Sequence, residues 1–212
     1  MRLKKVKGAL ERIERSNYYV GNPSENKGKW LNVFDNKNPI HIEIGMGKGR
    51  FIINMAKKHP NINFIGIEMY DSVLVKAVQL LENEENELKN LKLILIDAKN
   101  IDNIFEKEID TIYLNFSDPW PKAKHAKRRL TSHVFLEKYE TIFISKKQII
   151  MKTDNIDLFR FSLEKLQEYG YNLVEITNDL ASINDEDNVP TEYELKFMQK
   201  GIKINRLKAV KL

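Results

Sequence analysis

Three carboxylates follow three apolar runs in this chain: Glu43 in IHIEIGMGKG, Glu68 in NFIGIE and Asp97 in LKLILIDA. A carboxylate within an apolar strand is costly to bury unless a cation or hydrogen-bond donors meet it. Glu43 therefore needs a partner, either a lysine of the chain or a cationic group carried by a ligand. Directly after it come Gly45, Gly47 and Gly49, which permit a tight turn and close ligand approach. Glu68 lies 23 residues beyond Gly45, at the spacing where nucleotide-binding folds accept hydrogen bonds from ribose hydroxyls. Asp97 is placed to accept from the amino group of adenine. An adenosine that also carries a cation answers all three, and the methionine amine of S-adenosylmethionine is such a cation. A nicotinamide-dependent oxidoreductase would share the glycines and Glu68, but its GxGxxG fingerprint requires a third glycine where this chain has Arg50.

A second constellation is SDPWPKAKHAKRR, residues 117–129. Pro119 and Pro121 fix their own φ and restrict the residues before them, so Asp118 and Trp120 are held stiffly. The indole offers a flat face for a nucleobase, or else it closes a rigid turn against the core. Lys122, Lys124, Lys127, Arg128 and Arg129, with His125 among them and no acid, suit a phosphate backbone; a solvated basic loop is the plainer alternative.

The elements that position these residues read as alternating strands and helices. Strands are predicted at residues 40–44, 63–67, 91–96, 110–115, 148–151, 172–176 and 194–199, the last as an edge strand before a basic tail. Helices are predicted from about residue 50, over 72–86, over 134–143 and over 156–168, with Gly170 capping the last. ENEENELKN, residues 82–90, reads as a solvated helix end and loop. This rhythm is that of an α/β domain with a mostly parallel, seven-stranded sheet and helices on both faces, which binds ligands beyond the strand C-termini. Residues 1–38 are polar and form a basic arm packed on the domain of residues 39–212.

Composition narrows the chemistry. The chain has no cysteine, and its four histidines form no HxxxH or HxH pair, so no metal site is predicted. No apolar run is long enough to span a bilayer and the N-terminus lacks a signal-peptide core, which predicts a cytoplasmic protein with no membrane partner. The net charge of +5 favours a polyanion. It is concentrated in Arg2, Lys4, Lys5, Lys7, Arg12 and Arg15 and in residues 122–129.

From about Lys29 to Leu207 the sequence resembles the bacterial tRNA (guanine-N7)-methyltransferases. The resemblance rests on EIGMGKGRF, IGIE, the Asp97 position, SDPWPKAKHAKRR, KTDN (residues 152–155) and TEYE (residues 191–194). It implies a Rossmann-like class I methyltransferase fold and transfer of a methyl group from S-adenosylmethionine to N7 of guanosine 46 in the tRNA variable loop. It also implies that Glu43, Gly45, Gly47, Glu68, Asp97 and Asp118 hold the cofactor, with Asp118 the active-site residue. Lys122, Asp154, Thr191, Glu192, Tyr193 and Glu194 would touch the substrate, and Lys124, His125, Ala126, Lys127, Arg128 and Arg129 would line the RNA. A tRNA-binding module without catalysis is the remaining alternative, and either a monomer or a homodimer fits.

Overall fold

The structure, a computed structural model, describes residues 5–183, 185 and 188–212. Arg2 and Lys4 of the basic arm lie outside the described residues. Seven strands form one sheet: β1 (Ile40–Ile44), β2 (Asn63–Glu68), β3 (Leu91–Leu95), β4 (Ile109–Asn115), β5 (Phe143–Thr153), β6 (Asn172–Thr177) and β7 (Asn205–Lys211). Their order is β3-β2-β1-β4-β5-β7-β6. Strands β1 to β5 are parallel, and β7 runs antiparallel to both β5 and β6. Chain order reverses between β1 and β4, which opens a crevice at their C-terminal ends.

Helices cover both faces. Strand β2 is buried along its whole length, as an inner parallel strand covered on both sides must be. One apolar core packs α2 (Trp30–Phe34), α5 (His133–Ile142) and α6 (Ile156–Glu168) against Ile42, Ile65 and Ile112. The other packs α1 (Ala9–Glu14), α3 (Arg50–Lys58) and α4 (Asp71–Leu81) against Phe64, Leu91 and Leu93. No described helix is long and apolar enough to cross a membrane.

The N-terminal segment is built into this frame. Ala9 and Ile13 are buried in the second core, and Arg12 pairs with Glu82. Leu93 donates its backbone N–H to Tyr18 at 2.8 Å, and Val20 donates to Leu93 at 3.0 Å. This pairing covers part of the free edge of β3, which would otherwise offer unpaired backbone groups to another chain. Trp30 is fully buried, and its indole N–H donates to the Ile104 carbonyl at 2.9 Å.

Two elements differ from the sequence expectation. Residues 194–199 are not a strand: Glu192–Met198 form the helix α7, and the seventh strand is the basic tail, Asn205–Lys211. The alternation of Tyr193, Leu195 and Phe197 resembles a strand period, but Thr191 and Glu194 form a reciprocal capping box that starts a helix. In the tail, Leu207 and Ala209 are buried between cations, and the strand pairs on both sides. The second difference is that α4 ends at Leu81 rather than at residue 86. Acids crowd the following run, and negative charge at a helix C-terminus opposes the helix dipole. Asn83 also turns its side chain back to the Gln79 carbonyl, at 2.7 Å.

Candidate active site

The parallel strands bring Glu43, Glu68, Asp97, Asn115 and Lys152 to one edge of the sheet. Along β1 the side chains alternate, so Ile40, Ile42 and Ile44 enter one core while Glu43 faces the α3 side. Glu43 is 2% exposed. Its Oε1 accepts from the Asn115 side-chain amide at 2.9 Å, whereas Glu43 Oε2 and Asn115 Oδ1 are buried with no partner among the described residues. Burial pushes the Glu43 carboxyl up to about 8, against the Asn115 hydrogen bond and the Lys152 charge, which pull it down. Among the described residues no lysine pairs directly with it: the Lys152 ammonium bonds Glu194 Oε2 at 2.8 Å, Asn188 Oδ1 at 2.6 Å and the Val189 carbonyl at 3.0 Å. Two adjacent strands thus present two buried oxygens with no hydrogen-bond partner among the described residues, and with Glu43 ionised both are acceptors of the kind an ammonium group can meet.

Above them the glycine loop opens α3. Gly47 has φ 59°, and a Cβ at Gly45 or Gly47 would meet nothing within 4 Å. At Gly49 a Cβ would lie 2.7 Å from that of Ala77, so this glycine serves helix packing instead. Gly66 lets Met46 of the loop press onto β2, since a Cβ there would come within 2.3 Å of the Met46 sulfur. Glu68 clamps the loop from the next strand: Oε2 accepts from Gly47 N–H at 3.1 Å, and Oε1 from Met69 and Tyr70 N–H at 2.9 and 3.1 Å. Burial raises its carboxyl above the usual range despite those three donors. Asp97 caps the 3-10 turn Ala98–Asn103, accepting from Lys99 N–H at 3.0 Å, and its side chain stays over a third exposed.

After β4 the backbone departs from ordinary geometry. Phe116 and Trp120 have φ of 50° and 41°, a region rarely occupied by bulky residues and costing of order 1–3 kcal/mol each. Asp118, between them, is exposed. The Phe116 ring lies 5.9 Å from those of Tyr193 and Phe197, so α7 is tied to the turn by an aromatic cluster whose Tyr193 is 57% exposed. Residues Ala123–Arg128 form a 3-10 helix, in which side chains three apart share a side. His125 and Arg128 accordingly both pack on Trp120, the ring of His125 at 5.7 Å and the Arg128 guanidinium at 4.8 Å. Lys122, Lys124 and Lys127 are exposed.

Residues 37–207 match the family described as "Putative methyltransferase". A tRNA (guanine-N(7)-)-methyltransferase of Lachnoclostridium phytofermentans is 50% identical over 211 residues, which cover 99% of this chain and 98% of that protein. One from a Geobacillus species is 51% identical over 208 residues, covering 97% and 94%. The chain belongs to the tRNA (guanine-N7)-methyltransferase family. Membership removes the nicotinamide-dependent oxidoreductase from consideration. A solved structure of an antibiotic-related methyltransferase shares the fold at a TM-score of 0.66 and 15% identity, covering 87% of this chain and 92% of that one.

Within this methyltransferase frame the motif residues separate into scaffold and surface. In KTDN, Lys152 is buried in its ion pair, Thr153 Oγ1 accepts from Asn155 N–H at 3.1 Å, and Asn155 caps α6 by accepting from Leu158 N–H at 2.8 Å. Only Asp154 is exposed. In TEYE, Thr191 and the 1%-exposed Glu194 form the cap. Glu192 reaches Lys48 of the glycine loop at 2.7 Å, and Tyr193 is open. Sequence reasoning missed Asn115 and the Lys152–Glu194 pair. A T-x-x-E capping signature was available for the second; Asn115 carries no signal beyond its place after β4.

Proposed function

We propose that this protein transfers a methyl group from S-adenosylmethionine to N7 of guanosine 46 in the tRNA variable loop. The observation that carries the reading is the pair of buried, unpartnered oxygens on Glu43 and Asn115 beneath an open glycine loop. They suit the amine of an amino-acid cofactor and have no evident use otherwise. The names of the relatives support the tRNA substrate.

In this reading Glu43 and Asn115 would hold the amine of the cofactor, and Gly45 and Gly47 would leave room for its body. Glu68 has acceptor capacity left for a ribose hydroxyl, since three donors occupy a carboxylate that has about four acceptor sites. Asp97 would accept from the adenine amino group. S-adenosylmethionine, when bound, supplies an electrophilic methyl group on sulfur. Guanine N7 has a lone pair and no proton, so no residue must act as a base. A carboxylate, that of Asp118 or that of Asp154, instead holds guanine's N1 and N2 donors or stabilises the positive charge that appears on the purine. Alignment in a rigid turn is the main contribution of the chain. Lys122, Lys124 and Lys127 hold the phosphate backbone, and Tyr193 or Trp120 replaces the stacking that the base gives up. Thr191 and Glu194 act through the helix they start, which presents Glu192 and Tyr193. The segment before residue 39 serves as an arm of the domain of residues 39–212, its described part packed into the two cores through Ala9, Ile13 and Trp30. The protein works in the cytoplasm, as a monomer or homodimer, without a metal.

The decisive experiment incubates the protein with labelled S-adenosylmethionine and unmodified tRNA and maps 7-methylguanosine by chain cleavage after reduction. Label at the variable-loop guanosine is expected. Binding of tRNA without label would favour the binding module, and label at another position would overturn the assigned target.

A further inference from the structure

We propose that Arg129 is a positioning residue that braces the Asp118–Trp120 turn, and not one of the cations that hold the RNA backbone. The proposal rests on the function given above and refines the part played by the basic run.

The turn is strained at Trp120, whose φ of 41° is unfavourable for a tryptophan, and Pro121 further restricts the residue before it. Proline at 119 and 121 removes two backbone N–H groups, so the turn has few donors of its own to hold this shape. Arg129 supplies them. Its Nε donates to the Pro119 carbonyl and its Nη2 to the Trp120 carbonyl, both at 3.1 Å. A planar guanidinium can meet two successive acceptors with one edge; an ammonium cannot do so with the same rigidity. The opposite anchor is Phe161 of α6, whose ring lies 4.3 Å from the guanidinium carbon. Helix α6 is packed into the core through Leu158, Phe159 and Leu166, so the brace runs from a fixed helix to the backbone adjoining Asp118. Arg129 is half-buried, unlike Lys122, Lys124 and Lys127, and the guanidinium edge suited to side-on pairing with a phosphate is already taken.

The test uses the full chain with two substitutions. Arg129→Lys keeps the charge and loses the fork; Arg129→Gln loses the charge. Trp120 reports the turn directly, because the only other tryptophan, Trp30, is fully buried, so acrylamide quenching of the free protein reads Trp120 without cofactor or RNA. For both variants we expect stronger quenching and a fall in kcat of tenfold or more. KM for tRNA should stay within about twofold, and the slope of log affinity against log salt should be unchanged, whereas each lost phosphate contact would remove roughly 0.7–0.9 from it. Wild-type quenching and kcat in Arg129→Lys, or a flatter slope in Arg129→Gln, would overturn the proposal. If Arg129→Lys does not fold, as a shift of Trp30 emission would reveal, Phe161→Leu loosens the same brace at constant charge and must raise quenching. Quenching needs no turnover, so loss of methyl transfer to tRNA in the wild type would refute the function without touching the brace.

Discussion

Asn115 donates its side-chain amide to the Glu43 carboxyl group at 2.9 Å between the neighbouring strands β4 and β1, and each residue keeps one buried oxygen with no partner among the described residues. In the proposed function these oxygens meet the amine of the cofactor. Replacing Asn115 by Leu, of similar size, removes both the support and one acceptor. We expect cofactor affinity to fall at least tenfold, about 1.4 kcal/mol, while tRNA affinity measured without cofactor changes little. Calorimetric titration with S-adenosylhomocysteine checks the first and filter binding the second; equal cofactor affinity would remove Asn115 from the site.

Glu43 gives a pH signature in the cofactor-free protein. Its carboxyl stands at about 8 in the fold against an ordinary 4.5, so the folded state binds the proton more tightly. The stability linked to neutral Glu43 is present in full below about pH 4.5 and is lost as pH rises through about 8. Glu43→Gln cannot ionise and escapes that loss. Its melting temperature should exceed that of the wild type by a few degrees near pH 8.5, and the gap should close towards about pH 5. Because every other group is common to both proteins, a difference independent of pH would show that Glu43 does not titrate as described.

The Lys152–Glu194 pair, with side chains 4% and 1% exposed, ties the end of β5 to the start of α7. Removing one partner strands a buried charge, which costs about 3–5 kcal/mol. Lys152→Met and Glu194→Leu should each reach that range in urea denaturation, and the double substitution should recover a large part of it. Additive losses would mean that the two residues act independently.

Gly47 and Gly49 both occupy left-handed backbone, yet only Gly49 has no room for a Cβ. Gly49→Ala combines strain with a clash against Ala77 and should cost more stability, about 2–4 kcal/mol in all. Gly47→Ala bears only the conformational cost of about 1–2 kcal/mol, but it puts a methyl group where the cofactor is proposed to lie. The ranking by melting temperature and the ranking by cofactor affinity should therefore be opposite.

Tyr193 is exposed and stacks on Phe197 at 6.2 Å. Tyr193→Ala should reduce methyl transfer tenfold or more, in line with about 1–3 kcal/mol for a stacked base. Cofactor affinity should be unchanged, and the stability loss should be about 1 kcal/mol or less. A selective loss of cofactor affinity would instead make the aromatic cluster part of the cofactor site.

What the sequence determined by itself was the alternating fold and the edge of the sheet where the chemistry is proposed to lie. Period and chain order carry that information locally: Glu43, Glu68 and Asp97 each follow an apolar run, and a parallel sheet brings such residues to one edge. Motif spacing could not separate residues that face a ligand from residues that build the frame. That division depends on partners distant in the chain: Lys152 meets Glu194 42 residues on, Lys48 meets Glu192 at a separation of 144, and Asn115 meets Glu43 at 72. Local patterning also misread residues 194–199, where alternating apolar side chains suggested a strand and the cap at Thr191 produced a helix. Only the tertiary structure decided that Arg129 spends its donors on the backbone beside Asp118 while Lys122, Lys124 and Lys127 stay open. A run of cations carries charge in its sequence, but whether that charge is free for a polyanion depends on which carbonyls and rings the fold places beside it.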